Sequence, residues 1–258
     1  MFEPAAIRAL LLSAGAGFST LLRAVIVIFS KGKNEKLISA SLGFAAGVMI
    51  SVSFTDLYPN AVGLFGETVS EKSSVLLTVG FILLGIVIAL AIDHFVPHET
   101  SESTAGDKPH KNLYRVGFVS MLAIALHNFP EGMATFMAGY ENLTLGVSIA
   151  VAIALHNIPE GISVALPVYY ATGNRSKALK YTFLSGVAEP VGALLAFLVL
   201  RPFINSFVLA LLFATISGIM IYISVEELIP SSRQYGHERL ALFATLAGIC
   251  LMPLTHVL

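Results

Sequence analysis

Apolar residues along this chain come in long unbroken runs rather than in alternation with polar ones. Eight such runs lie near 4–29, 36–58, 73–96, 114–138, 143–170, 177–200, 203–230 and 238–257. Each is about 20 residues or longer, the length an α-helix needs to cross the hydrocarbon of a bilayer. None shows the two-residue period of a barrel strand. Polar seams divide them: KGKNEK at 31–36, the stretch from Pro59 to Lys72, Glu141-Asn142, ATGNRSKA at 171–178 and SSRQYGHER at 231–239. The longest seam, PHETSESTAGDKPHKN at 97–112, has the Ser, Thr, Gly, Pro and charge content that builds no core, and it reads as a mobile loop. The pattern predicts an all-α integral membrane protein of eight transmembrane helices, with residues 1–258 as a single domain. The first run starts at Pro4 and is too long for the apolar region of a cleavable signal, so it is expected to be retained as a span.

Composition agrees. Hydrophobic residues make up 56% and charged residues 12%, where a soluble domain carries about a quarter charged. Mean hydropathy is +0.82, which excludes a soluble globular domain and a disordered chain. Lys and Arg number 15 against 16 Asp and Glu, so no basic field attracts nucleic acid. The one cysteine, Cys250, excludes a disulfide framework and a CxxC metal site. The placement of the basic residues adds an orientation. Eleven of them lie in or beside the odd-numbered loops, among them Lys31, Lys33, Lys36, Lys108, Lys111, Arg115 and Arg175. Only Arg8, Lys72 and Arg201 lie on the other side, and Arg23 sits late in the first run. By the positive-inside rule both termini are extracytoplasmic and the 97–112 loop is cytoplasmic.

Two internal repeats stand out. AIALHNFPEG (123–132) recurs as AIALHNIPEG (152–161), identical at nine of ten positions. GVMISVSFTDLYP (47–59) in the second run resembles GIMIYISVEELIP (218–230) in the seventh. By the orientation above, the members of each pair cross the membrane in opposite directions. Inverted repeats with interrupted helices at their interface are a signature of secondary transporters, whose site lies near the midplane. Chance likeness between apolar helices could explain the second pair. It hardly explains the first, where the matched residues are polar and costly in a bilayer.

Those polar residues carry the chemistry. His127 and Glu131 are four apart and share one face of their helix, as do His156 and Glu160. Asn128 and Asn157 lie about 100° round from the histidines and widen each polar face. Glu189, in SGVAEPVGA, adds a third carboxylate at mid-span depth. An isolated charge there costs several kcal/mol. A divalent cation removes that cost, because carboxylates shared between helices neutralise and coordinate it. Imidazole nitrogen with carboxylate oxygen suits Zn²⁺, and also Fe²⁺, Co²⁺, Ni²⁺ or Mn²⁺. Pro130 and Pro159 each lack an N–H and free the carbonyls of Leu126 and Leu155, which predicts kinks there. Gly132 and Gly161 allow close helix approach. Competing readings are a structural His–Glu hydrogen-bonded pair, a proton relay without metal, and, for Met49, ordinary packing. Asp56 near the outer end, and Asp93, His94, Glu226 and Glu227 near the inner end, are either entrance and exit residues or plain interfacial charges. His98 and His110 in the loop read as solvated.

HNFPEG, HNIPEG, the AEPVGA context of Glu189 and the eight-run layout resemble the ZIP family of divalent-metal transporters, in its bacterial ZupT/GufA-like branch. The resemblance covers essentially the whole chain. It implies a 3+2+3 arrangement, with spans 1–3 and 6–8 related by inverted symmetry around spans 4 and 5. It implies uptake of Zn²⁺ into the cytoplasm, with Fe²⁺, Mn²⁺, Co²⁺ and Cd²⁺ as alternative cargo, through a two-metal site between spans 4, 5 and 6. One metal would use His127, Glu131, His156 and Glu160, with Met49 as a further ligand. The other would use Asn128, Asn157 and Glu189, with Glu131 and Glu160 bridging both. The expected setting is the inner membrane of a bacterium, multi-pass. The expected partners are divalent metal ions, the lipid bilayer and a second copy in a homodimer, with no nucleic acid. The family's long His-rich loop after span 3 is short here and holds only His98 and His110.

An intramembrane metal hydrolase is the reading from another class. It needs an open metal position, an activated water and a general base. HExxH is absent and the paired motif uses every carboxylate for coordination, so no enzyme is expected. Carrier and channel mechanisms both remain open, as do the driving force and the order of metal preference.

Overall fold

The computed structural model describes residues 3–29, 35–95, 113–200 and 205–255. The 97–112 loop, with His98 and His110, therefore lies outside the described residues. Among those described, the backbone forms eight continuous helical runs and no strand. They are α1 (Pro4–Phe29), α2 (Glu35–Gly66), α3 (Glu71–Phe95), α4 (Leu113–Glu141), α5 (Leu143–Thr172), α6 (Arg175–Leu195, continued by a π turn at Ala196–Leu200), α7 (Ser206–Arg233) and α8 (Glu238–Thr255). Among the described residues, five stretches are long and apolar enough to cross a membrane: Pro4–Leu22, Glu35–Gly66, Glu71–His94, Arg175–Leu198 and Ser206–Arg233. In α4 the mid-helix His127, Asn128 and Glu131 dilute the hydropathy.

The polar seams act as caps. The Asn142 side chain accepts from the Thr144 N–H at 2.9 Å, so α5 starts one residue after α4 ends and must run antiparallel to it. Asn174 Oδ1 accepts from the Lys177 N–H and Asn205 Oδ1 from the Val208 N–H, both at 3.0 Å, opening α6 and α7.

Two boundaries differ from the sequence pattern. The second run was expected to end near 58 and the seventh near 230, yet α2 continues through Pro59 to Gly66 and α7 to Arg233. Each proline follows a π turn, Ser53–Leu57 in α2 and Ser224–Leu228 in α7. There the Tyr58 N–H bonds to the Ser53 carbonyl and the Ile229 N–H to the Ser224 carbonyl. This one-residue widening resets the ladder just before the ring, so the missing donor falls at the first turn of a new helical segment, where it costs little. The α4 backbone likewise stays helical through Pro130.

The α4–α5 hairpin occupies the centre. α1 packs on α5 and α6, and α6 packs on α4 and α1. Outside these, α2 packs on α8 and α5, while α7 packs on α3 and α4; the π turns of α2 and α7 meet the opposite helix. The largest apolar cluster joins α2, α4, α5 and α7 through residues such as Met49, Val119, Leu166 and Met220. Around it, Leu83, Val87, Phe243 and Leu254 project outward and exposed. A surface this greasy requires lipid to cover it.

Candidate metal centre

The duplicated motif places its polar residues where α4 and α5 face each other and α1 and α6 close over them. His127, Asn128, Glu131, Asn157, Glu160 and Glu189 are all buried, with Glu189 and Glu160 fully so. His127 Nε2 lies 3.1 Å from Glu131 Oε1, the i, i+4 contact expected along α4. The same nitrogen lies 3.9 Å from Glu160 Oε1 on α5, so the two halves of the repeat converge. His156 lies on α5, but its side chain is outside the described residues. Among the described residues, no three His, Cys, Asp or Glu side chains are already gathered into a ligand set.

The asparagines show how the site is built. Asn128 donates its amide N–H to the Ser185 carbonyl of α6 at 3.1 Å. Asn157 donates to the Ala16 carbonyl of α1 at 3.1 Å, and to Glu189 Oε2 at 2.9 Å. Each amide nitrogen is thus tied to a neighbouring helix, which turns its oxygen the other way. Asn128 Oδ1, Asn157 Oδ1 and Glu189 Oε1 are buried and accept no hydrogen bond. A buried acceptor without a donor costs about 1–3 kcal/mol. All three belong to the same set of buried polar side chains and present lone pairs, which a bound cation would satisfy.

Helix spacing is set by glycine. A Cβ on Gly132 would strike the Glu189 carbonyl of α6, and a Cβ on Gly161 would strike the Thr20 carbonyl of α1. The first of these contacts brings Glu131 toward Glu189 across the α4–α6 seam, and the second brings α5, with Glu160, onto α1. The repeat's glycine is therefore a spacing element for the carboxylates beside it.

The remaining predicted residues are placed differently. Met49 is fully buried in the apolar cluster of α2, and Met220, its counterpart in the second repeat, is fully buried in the same cluster. Asp56 sits on the α2 π turn, half-buried, and accepts from the Thr55 hydroxyl at 2.7 Å. Glu226 is exposed and Glu227 buried on the α7 π turn. His94 is exposed near the end of α3. Asp93 and Glu227 are both held by Arg115, Glu227 at 2.8 Å. Sequence reasoning counted Arg115 only as a loop charge, because it stands three residues after the polar stretch that ends at Asn112.

The profile described as ZIP Zinc transporter matches residues 97–255. The chain is 40% identical to "Zinc transporter ZupT" of Streptococcus mutans over 97% of both chains. It is 41% identical to the protein of that name from Clostridium perfringens, over 97% of this chain and 95% of the relative. It is 42% identical to that of Chlorobaculum parvum, over 94% of each. On the profile match and on these near full-length identities, the chain belongs to the ZIP family of zinc transporters.

Proposed function

We propose that this protein carries Zn²⁺ across a bacterial inner membrane into the cytoplasm, with Fe²⁺, Mn²⁺, Co²⁺ and Cd²⁺ as further cargo. The observation that carries the reading is the buried set of three glutamates, Glu131, Glu160 and Glu189, with His127 and the unpaired oxygens of Asn128, Asn157 and Glu189. Effective penalties of several kcal/mol per buried charge make three ionised carboxylates untenable without cations. Two divalent ions, +4 against −3, more than offset that charge. His127, Glu131, His156 and Glu160 form a mixed nitrogen and oxygen site, with Met49 as an outlying sulfur. Asn128, Asn157 and Glu189 complete an oxygen site, and Glu131 and Glu160 bridge the two. Glu131 and Glu160 then share their charge between both ions, so loading one weakens the other and favours release. Asp56 would stand at the outer end of the path and Glu227 at its inner end.

The eight helices form an inverted repeat in this reading, α1–α3 against α6–α8, with both termini outside. Its support is that the helix pairings keep their pattern when the halves are exchanged: α1 on α5 becomes α6 on α4, α2 on α8 becomes α7 on α3, and α2 on α5 becomes α7 on α4. The two π turns, SFTDL and SVEEL, fall at matching places.

Zn²⁺ flux into proteoliposomes with pH and voltage clamped tests the function. The parent protein should take up Zn²⁺ and Glu131→Ala should not, because a shared ligand is lost and the remaining carboxylates repel. Undiminished flux in Glu131→Ala would remove the site from the pathway. In a Cys250→Ala background, a cysteine replacing Ser103 should react with an impermeant reagent only from the cytoplasmic side. Reaction from outside intact cells would reverse the orientation.

A further inference from the structure

At the α4 end opposite the hairpin, the carboxylates that a departing ion would meet are already engaged by a cation of the protein. Arg115 stands in the first turn of α4. One of its terminal nitrogens bonds Asp93 near the end of α3, and the other lies 2.8 Å from Glu227 on the π turn of α7. Tyr222 of α7 donates its hydroxyl to the second Asp93 oxygen at 3.3 Å. The Glu227 side chain is 5% exposed and those of Asp93 and Arg115 only 14% and 20%. One guanidinium therefore ties three helices that come from different parts of the chain.

We infer that Arg115 is the inner gate of the transport path, a tethered cation that holds Asp93 and Glu227 until the transported ion takes its place. Arg115 and His127 are twelve positions apart on α4, about 18 Å of helix rise. Along the seam of α4 with α3 and α7, this interval is lined by apolar side chains, among them Ala89, Val119, Leu122, Ala123, Ile219 and Ile223, around a void of about 10 Å³. A single water needs roughly 10–15 Å³ and two to four polar partners, so this seam has no room for an ion that carries even part of its hydration shell. Opening it requires α4 to part from α3 and α7, and that breaks both arms of the Arg115 tie. Parting without compensation would leave two carboxylates bare in a low-dielectric setting, which is costly. A divalent ion arriving from the centre supplies the compensation, so exchange of one cation for another couples gate opening to the presence of cargo.

The repeat supports a role at one end only. Exchanging the halves aligns Glu227 with Asp56 in the two π turns, while the offset of the HN-P-EG motifs aligns Arg115 with Thr144. The same fold thus carries a cation at the inner end of α4 and a neutral hydroxyl at the matching place on α5. This inference rests on the transport reading above.

Thiol accessibility tests it. Ala123→Cys in a Cys250→Ala background places the only thiol within the closed interval, where Ala123 is 2% exposed. Membrane vesicles of known orientation are treated on one side at a time with a charged, impermeant methanethiosulfonate. In the Arg115 parent, labelling from the Arg115 side should be slow. In Arg115→Gln it should be at least about tenfold faster, the factor that 1.4 kcal/mol of lost closed-state preference produces. Glu227→Gln, which removes one arm of the tie and keeps the side-chain shape, should fall between them and serves if Arg115→Gln does not fold. Labelling within threefold of the parent in the folded variants, while the parent still takes up Zn²⁺, would overturn the gate and leave the transport reading standing. Faster labelling of Arg115→Gln from the opposite side only would support the Arg115 lock and overturn the orientation.

Discussion

An alanine at Gly132 separates helix spacing from ligand identity, because it alters no ligand. Its Cβ would fall on the carbonyl carbon and oxygen of Glu189, with the Glu189 Cα close behind. These are backbone atoms and cannot rotate aside, so α4 and α6 must move apart by roughly 1 Å in a packed interior that has little slack. Overpacking of this kind costs about 1–3 kcal/mol. For a chain of this size that corresponds to roughly 2–4 °C in apparent Tm per kcal/mol. A binding constellation tolerates displacements of only about 0.5 Å, so Zn²⁺ affinity should fall about tenfold or more, equivalent to 1.4 kcal/mol. Gly15→Ala is the control: a Cβ there meets nothing within 4 Å, and exchange of a mid-helix glycine for alanine gains up to about 1 kcal/mol. Thermal melts in detergent followed by circular dichroism, with Zn²⁺ titrations on the same samples, give both readouts. The reasoning fails if Gly132→Ala keeps the parent's Tm and Zn²⁺ affinity, or if Gly15→Ala loses as much as Gly132→Ala.

Other consequences are as specific. Glu189→Gln removes one charge with little change of shape, so it should retain the ion bound by His127, Glu131, His156 and Glu160, weaken the second, and shift the order among Zn²⁺, Fe²⁺ and Mn²⁺ in competition assays; two bound metals and an unchanged order would make Glu189 structural. Carboxylates and imidazoles ligate only when unprotonated, so Zn²⁺ affinity in detergent should fall steadily from pH 8 to pH 5, and a flat profile would remove this ligand set. Asn174→Ala deletes the α6 cap, whose oxygen accepts from Lys177, and should lower stability by about 1 kcal/mol while leaving Zn²⁺ stoichiometry as in the parent; a lost metal would show that the cap positions the site.

The helices were legible because a bilayer leaves an apolar run few alternatives, and each of the eight runs matches one helix found, with most ends agreeing to within a few residues. The breaks at Pro59 and Pro230 were misplaced. Proline reads as a stop when only α-helical geometry is considered, and nothing local in SFTDL or SVEEL announces the π turn that accommodates it. Duplication exposed His127, Asn128, Glu131 and their partners, because a repeated polar decapeptide in an apolar chain is improbable without a shared task. It could not show what the asparagines do. Their nitrogens are held by the Ser185 and Ala16 carbonyls, and backbone acceptors carry no side-chain signature. Arg115 was hidden for a related reason. Its partners lie 22 residues before it on α3 and 112 after it on α7, so only the fold reveals that its charge is turned inward rather than toward the loop.

Zinc K-edge absorption on the purified, Zn²⁺-loaded protein, together with its metal content, tests the central claim most directly. Two zinc ions per chain are expected. The first shell should mix nitrogen and oxygen at about 2.0–2.2 Å, with a second zinc near 3.5–4 Å from the bridging glutamates. Glu131→Ala should lose the metal–metal distance. A parent protein that binds no zinc, or a shell unchanged in Glu131→Ala, would contradict a binuclear centre between α4, α5 and α6.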